Sequence, residues 1–154
     1  MPMPVVRAAR PDEYDEVARV WMESWVSTGL EDASNFLLAN LRARVPREIE
    51  NGWSLFVADD NGRIAAMLAL HQRDQYLDQL FVAPDDQGKG LGKHLLAFTR
   101  QRLPDEIWLR CVRENVKAWR WYEREGFVFE KEVVEPKTGF MMKCYRWKKQ
   151  GSIP

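Results

Sequence analysis

The chain has 154 residues, 45% of them apolar and 30% charged, and its 23 lysines and arginines balance 23 aspartates and glutamates. That length sets a single domain with a core of its own, and the apolar share excludes an intrinsically disordered chain. The charge balance excludes the overall basic excess of a nucleic-acid-binding domain.

The first residues, "MPMPVVRAARPDEY", lack the long apolar region of a signal peptide. Val5 to Ala9 reads as a first strand. Pro11 and Asp12 open a helix with Tyr14, Val17, Ala18, Val20, Trp21 and Trp25 at helical spacing, broken at Thr28-Gly29. Asp32 or Ser34 is expected to cap a second helix carrying Phe36, Leu37, Ala39, Leu41 and Val45, which ends at Gly52. "WSLFVADD" is a strand, Asn61-Gly62 a hairpin turn, and "RIAAMLALHQ" the returning strand. Its apolar run, Ile64 to Leu70, is too short to span a bilayer. Arg73-Asp74 turns the chain into a fourth strand, "QYLDQLFV". A helix with Leu91, Leu95, Leu96 and Leu103 stops at Pro104. "EIWLRCV" is a fifth strand, Asn115 begins a short helix ended by Gly126, and "FVFEKEVV" and "FMMKCYRW" are two final strands joined around Pro136 and Gly139. Residues 1–148 form the domain and 149–154 a short tail. The order β-α-α-β-β-β-α-β-α-β-β predicts an α/β (α+β) fold with a mixed, mostly antiparallel sheet of about seven strands, and excludes a doubly wound nucleotide fold.

The fourth strand runs into "QGKGLGKHLLAF", where Gly88, Gly90 and Gly92 stand directly before a helix. A helix N-terminus has free N–H groups and partial positive charge, so it binds phosphate, and glycines let backbone amides approach the anion. Lys89 and Lys93 add charge. The stretch is either such a cradle or a plain turn. It is not a Walker loop, because Gly92-Lys93 lacks a glycine at Gln87 and a hydroxyl at His94. It is not a dinucleotide fingerprint either, since Lys93 and Leu95 stand where a third glycine is needed.

Two motifs in order resemble the GNAT superfamily of N-acetyltransferases. The first is a strand end, Leu80-Phe81-Val82, a short turn, then Gln87, Gly88, Lys89, Gly90, Leu91 and Gly92 opening a helix. The second is Asn115, Ala118, Trp121, Tyr122, Gly126 and Phe127. The resemblance implies acetyl-CoA as co-substrate, with Gly88 to Lys93 around its pyrophosphate. It implies that Leu80, Phe81 and Val82 offer backbone groups to the pantetheine arm and to the oxyanion, and that Asn115 and Ala118 lie on the cofactor side of their helix. Tyr122 is implied as the general acid that protonates the departing sulfur; its plain alternative is a core aromatic.

Along an extended strand Tyr76, Asp78, Leu80 and Val82 share one face. Asp78 is therefore read as the general base, as the group that binds the acceptor's ammonium, or as a structural ion pair. His71 and His94 read as solvated surface residues. No histidine and cysteine spacing forms a zinc pattern, so no metal is expected, and Cys111 reads as a structural thiol. Glu23, Trp25, Glu31, Asp32, Phe36, Glu132 and Glu135 suit a cationic acceptor, with a small-molecule amine favoured over a protein amine. The two cysteines, Cys111 and Cys144, are too few for a disulfide framework, which suits a reducing cytoplasm. No nucleic acid or membrane partner is expected. A homodimer through the late strands, with Trp147, Met141 and Met142, is the family-like option. The rival reading is a non-catalytic acyl-CoA-binding module.

Overall fold

The computed structural model describes residues 2–30 and 37–149. The expected cap at Asp32 or Ser34, the residues Glu31 and Phe36, and positions 150–154 of the tail lie outside them. The elements follow the expected order: β1 (Val5–Ala8), α1 (Tyr14–Ser27), α2 (Leu38–Glu50), β2 (Ser54–Asp60), β3 (Arg63–His71), β4 (Tyr76–Val82), α3 (Leu91–Arg102), β5 (Glu106–Val112), α4 (Val116–Arg124), β6 (Val128–Val134) and β7 (Met141–Lys148). Pro46 lies inside α2 without ending it.

The strands form one seven-stranded sheet in the order β1-β2-β3-β4-β5-β7-β6. Every neighbouring pair is antiparallel except β4 with β5. Asn61 and Gly62, with φ of 54° and 94°, make the β2–β3 hairpin turn, the conformation that Asn-Gly adopts most readily. The central strand β3 is buried from Ile64 to Leu70 because both faces of the sheet are covered. On one face α1 and α2 bury Val17, Trp21, Leu41 and Val45 against Val57, Met67 and Ala69. On the other, α3 and α4 bury Leu91, Leu95, Leu96 and Tyr122 against Leu68, Leu77, Ile107 and Leu109. Each such leucine contributes roughly 1.5–3 kcal/mol of burial free energy. Among the described residues no helix is long and apolar enough to cross a membrane.

The start of α1 is fixed by Glu13. Its carboxylate accepts from Arg7 Nη1 at 2.9 Å and Nη2 at 2.6 Å, and from the Arg10 N–H at 2.8 Å. The Arg7 hydrogen bonds, opposed by burial, hold the Glu13 pKa down to about 2 from 4.5. A depressed carboxylate stabilises the fold above its unfolded pKa and ceases to do so as the pH falls towards its folded value. Glu13→Gln is therefore expected to lower the melting temperature at pH 7, with the gap to wild type closing as the pH falls from 4.5 to 2. A gap that does not change with pH would remove this contribution.

Candidate active site

β4 and β5 each run for seven residues but pair in parallel register only at Tyr76–Trp108 and Leu77–Leu109. Beyond those pairs they part. The gap opens into a cavity of about 500 Å³ between Asp78–Phe81 on one strand and Arg110–Val112 on the other, with Asn115, Ala118 and Tyr122 of the α4 segment on one wall.

The exposed edge of β4 is set by strand alternation. The Ala83 N–H bonds to the Ala65 carbonyl at 2.8 Å, so the backbone at Ala83, and with it Phe81, faces β3. The backbone at Leu80 and Val82 faces the gap. The Val82 carbonyl is already taken, by the Ser24 hydroxyl at 2.9 Å and the Gln87 side-chain amide at 3.0 Å. Among the described residues, the groups turned towards the gap without such a tie are the Leu80 N–H and C=O and the Val82 N–H.

A register shift interrupts this alternation. Ala69 faces Gln79 while Leu70 faces Leu77, so Asp78 is the extra residue of a β-bulge. Leu77, Leu80 and Val82 consequently all pack on the α3–α4 side. Asp78 turns to the other side, where Trp53 Nε1–H donates to its Oδ2 at 2.7 Å and His71 Nε2 stands 3.3 Å from the same oxygen. Gln79 Nε2 donates to Oδ1 at 3.2 Å. The expectation that Asp78 shares a face with Leu80 and Val82 is thus corrected by the bulge.

Tyr122 is buried, its ring 4.9 Å from Trp121 and 5.5 Å from Phe127. Burial above all, with Cys111 and Tyr76 adding to it, pushes its phenol above the ordinary tyrosine range, so it stays protonated at neutral pH. Cys111, also on the cavity wall, is pushed up to about 12 by burial against a smaller opposing effect of Lys143. That keeps it a thiol and removes it as a nucleophile at neutral pH.

The opposite end of the cavity is aromatic and charged. Tyr76 stacks on Trp108 at 4.0 Å and on His71 at 5.9 Å. Its hydroxyl accepts from Arg110 Nε at 3.3 Å, and Arg110 Nη2 lies 3.1 Å from Glu135. Burial and the Asp78 charge, partly offset by Arg110, push the Tyr76 pKa up to about 12. Trp25 of α1 and Phe140 of the β6–β7 loop meet at 6.1 Å across the mouth.

The glycine stretch lies just beyond the end of β4. Gly88 and Gly90 have φ of 78° and 84°, which side-chain-bearing residues rarely adopt, and Gly90 is the residue before α3. The first backbone bond of the helix runs from the His94 N–H to the Gly90 carbonyl at 3.1 Å, leaving the amides before it directed outward. A Cβ at Gly92 would lie 3.3 Å from Trp121, so this glycine lets α3 and α4 approach closely. Lys93 Nζ is 3.1 Å from Glu125, and Lys89 Nζ is 4.0 Å from Asp86.

The model of the Acetyltransferase (GNAT) family matches residues 14–127. The chain belongs to the GNAT acetyltransferase family. It is 29% identical over 140 residues to a probable N-acetyltransferase of Mycobacterium tuberculosis, covering 79% of this chain and 78% of that one. It is 30% identical over 140 residues to the 5-NmdU N-acetyltransferase of Pseudomonas phage PaMx11, covering 86% of this chain and 92% of that one. A putative acetyltransferase from Salmonella typhimurium, solved with its cofactor acetyl-CoA, shares the fold with a TM-score of 0.68 at 16% identity, over 100% of this chain and 98% of that one.

In this GNAT chain Leu80, Phe81, Asn115, Ala118, Tyr122 and Asp78 meet at one cavity. Gln87 to Lys93 lie at the adjoining helix start. Glu135 and Trp25 line the cavity, whereas Glu23 is exposed on α1 and Glu132 pairs with Arg113 at 3.4 Å. Met142 lines the cavity, and Trp147 packs on the core beneath Arg100. His71 is the main correction. It is half-buried at the cavity beside Asp78, not a solvated turn residue. Arg110, which lines the cavity, and Trp53, which donates to Asp78, were likewise not singled out by the sequence. Only the pairing of His71 with Tyr76 across a short turn could have pointed to the histidine. Among the described residues no group of three or more histidine, cysteine or acidic side chains could hold a metal.

Proposed function

We propose that the chain is an acetyl-CoA-dependent N-acetyltransferase acting on a primary amine of a small acceptor. The observation that carries this reading is the gap between β4 and β5, with the protonated phenol of Tyr122 on one wall and the carboxylate of Asp78 on the other. The co-substrate supplies an acetyl group activated as a thioester. Leu80 and Val82 offer backbone groups to its extended arm, as an added strand would receive them. Phe81, whose backbone faces β3, lines the wall. Gly88, Lys89, Gly90, Leu91, Gly92 and Lys93 hold the pyrophosphate at the start of α3, and Gln87 ties that loop to β4. Asn115 and Ala118 line the arm's other side.

Tyr122 gives its proton to the leaving sulfur. A free amide of β4 at the gap stabilises the carbonyl oxygen as charge develops on it. Asp78 marks the acceptor end, where a carboxylate among aromatic rings draws in an ammonium. The free, buried thiols Cys111 and Cys144 fit a reducing cytoplasm. The exposed Val128 and Val134 of the edge strand β6 suit pairing of two copies.

The test is free-thiol release from acetyl-CoA with purified protein and a panel of amines: spermidine, free amino acids, an aminoglycoside and a lysine peptide. Release with one class is expected, and product mass then names the acceptor. Stabilisation by coenzyme A without release from any class would replace the enzyme with a binding module.

A further inference from the structure

Among the described residues Asp78 is the only acidic side chain that β4 itself places in the cavity, yet its oxygens are already engaged. Oδ2 accepts from Trp53 and Oδ1 from Gln79. A carboxylate so committed suits electrostatic positioning better than proton uptake. Beside it stands an imidazole, whose ring nitrogens can take up and give back a proton. His71 Nε2 is 3.3 Å from Asp78 Oδ2. The ring plane is held by stacking on Tyr76, at 11° between planes. Its other nitrogen, Nδ1, faces Gly52, where even an added Cβ would sit 3.4 Å away, and Gly52 is exposed. Nε2 therefore lies beside the carboxylate at the cavity, and Nδ1 lies beside exposed Gly52, a residue with no side chain.

We propose that His71 is the general base of the acetyl transfer, with Asp78 as its positioning residue; this rests on the acetyltransferase reading above. A proton leaves the acceptor's ammonium for Nε2, freeing the nitrogen lone pair for attack. The imidazolium is held beside the Asp78 carboxylate and gives the same proton up from Nε2 to water once the acetylated product has left, which restores the neutral ring for the next turnover. Asp78 and Tyr76 of β4 lie against the ring, at 3.3 Å from Nε2 and 5.9 Å between ring centroids. Farther round the cavity Arg44 pairs with Glu48 at 3.6 Å and Arg110 with Glu135 at 3.1 Å. Lys137 of the β6–β7 loop completes the set. With those carboxylates occupied by arginines, Asp78 is the one beside the imidazole.

The experiment is the pH dependence of kcat/KM for acetyl transfer to whichever amine of the panel turns over, in wild type, His71→Gln and Asp78→Asn. Thermal shift with coenzyme A serves as the control for folding and cofactor binding. His71→Gln is expected to lose about 100-fold at pH 7 and to lose the imidazole limb of the profile, with the coenzyme A shift unchanged. Asp78→Asn is expected to raise KM while keeping the limb. His71→Ala is expected to recover activity with added imidazole, and the recovery should track the basicity of substituted imidazoles, which a merely structural histidine would not produce. If His71→Gln keeps the rate and the limb while Asp78→Asn loses both, the base is Asp78 and the proposal falls, although the enzyme stands. If wild type transfers acetyl to no amine, the enzymatic reading falls and takes this proposal with it.

Discussion

Gly90→Asp is expected to abolish measurable coenzyme A binding, a loss of 100-fold or more on the order of 3 kcal/mol. Two effects combine. Gly90 has a φ of 84°, and a side chain there costs roughly 1–2 kcal/mol in backbone strain. A Cβ would also press on Met3 Cε at 3.3 Å. The added carboxylate would then occupy the free amides at the start of α3, where the pyrophosphate is proposed to bind, and repel it. Gly90→Ala separates the two effects, because it carries the strain without the charge. Isothermal titration with coenzyme A should show a modest loss for alanine and no binding for aspartate. Equal, undiminished affinity in both variants would remove the cradle from the account.

Tyr122→Phe is expected to lower kcat by about 100-fold or more while coenzyme A affinity stays within a factor of two. The variant keeps the ring packing against Trp121 and Phe127 and deletes only the hydroxyl. Because burial raises the phenol above its ordinary value of 10.0, Tyr122 remains an acid throughout the neutral and mildly alkaline range. The wild-type rate should therefore show no loss attributable to this group as the pH rises towards 10. Unchanged turnover in Tyr122→Phe would return Tyr122 to the core as a packing residue.

The fold was legible because its signals are local. Helical spacing in α1 and α3, the Asn61-Gly62 turn and the continuous apolar run of β3 each specify an element without reference to the rest of the chain. The residues proposed to meet the cofactor stand out in the sequence for the same reason: they cluster in two short motifs, Leu80 to Lys93 and Asn115 to Phe127. The proposed acceptor side was not legible. It depends on a bulge at Asp78, which no periodicity announces and which reverses the face on which the carboxylate falls. It depends as well on Trp53, from before β2, and His71, from the end of β3, meeting across strands. Such meetings are set by register, and register is a property of the sheet. Lys93 illustrates a smaller limit. Its charge suggested a phosphate contact, but its nearest partner is Glu125, at the end of a helix that the linear sequence keeps far away.

The most direct test of the central claim is to map backbone amide shifts as coenzyme A is added to isotopically labelled protein. The largest changes are expected at Leu80, Val82, Gly88 to Lys93, Asn115 and Ala118, around the gap between β4 and β5. Changes centred instead on the shallow surface formed by Arg10, Asn61 and Arg63, or no changes at all, would contradict it.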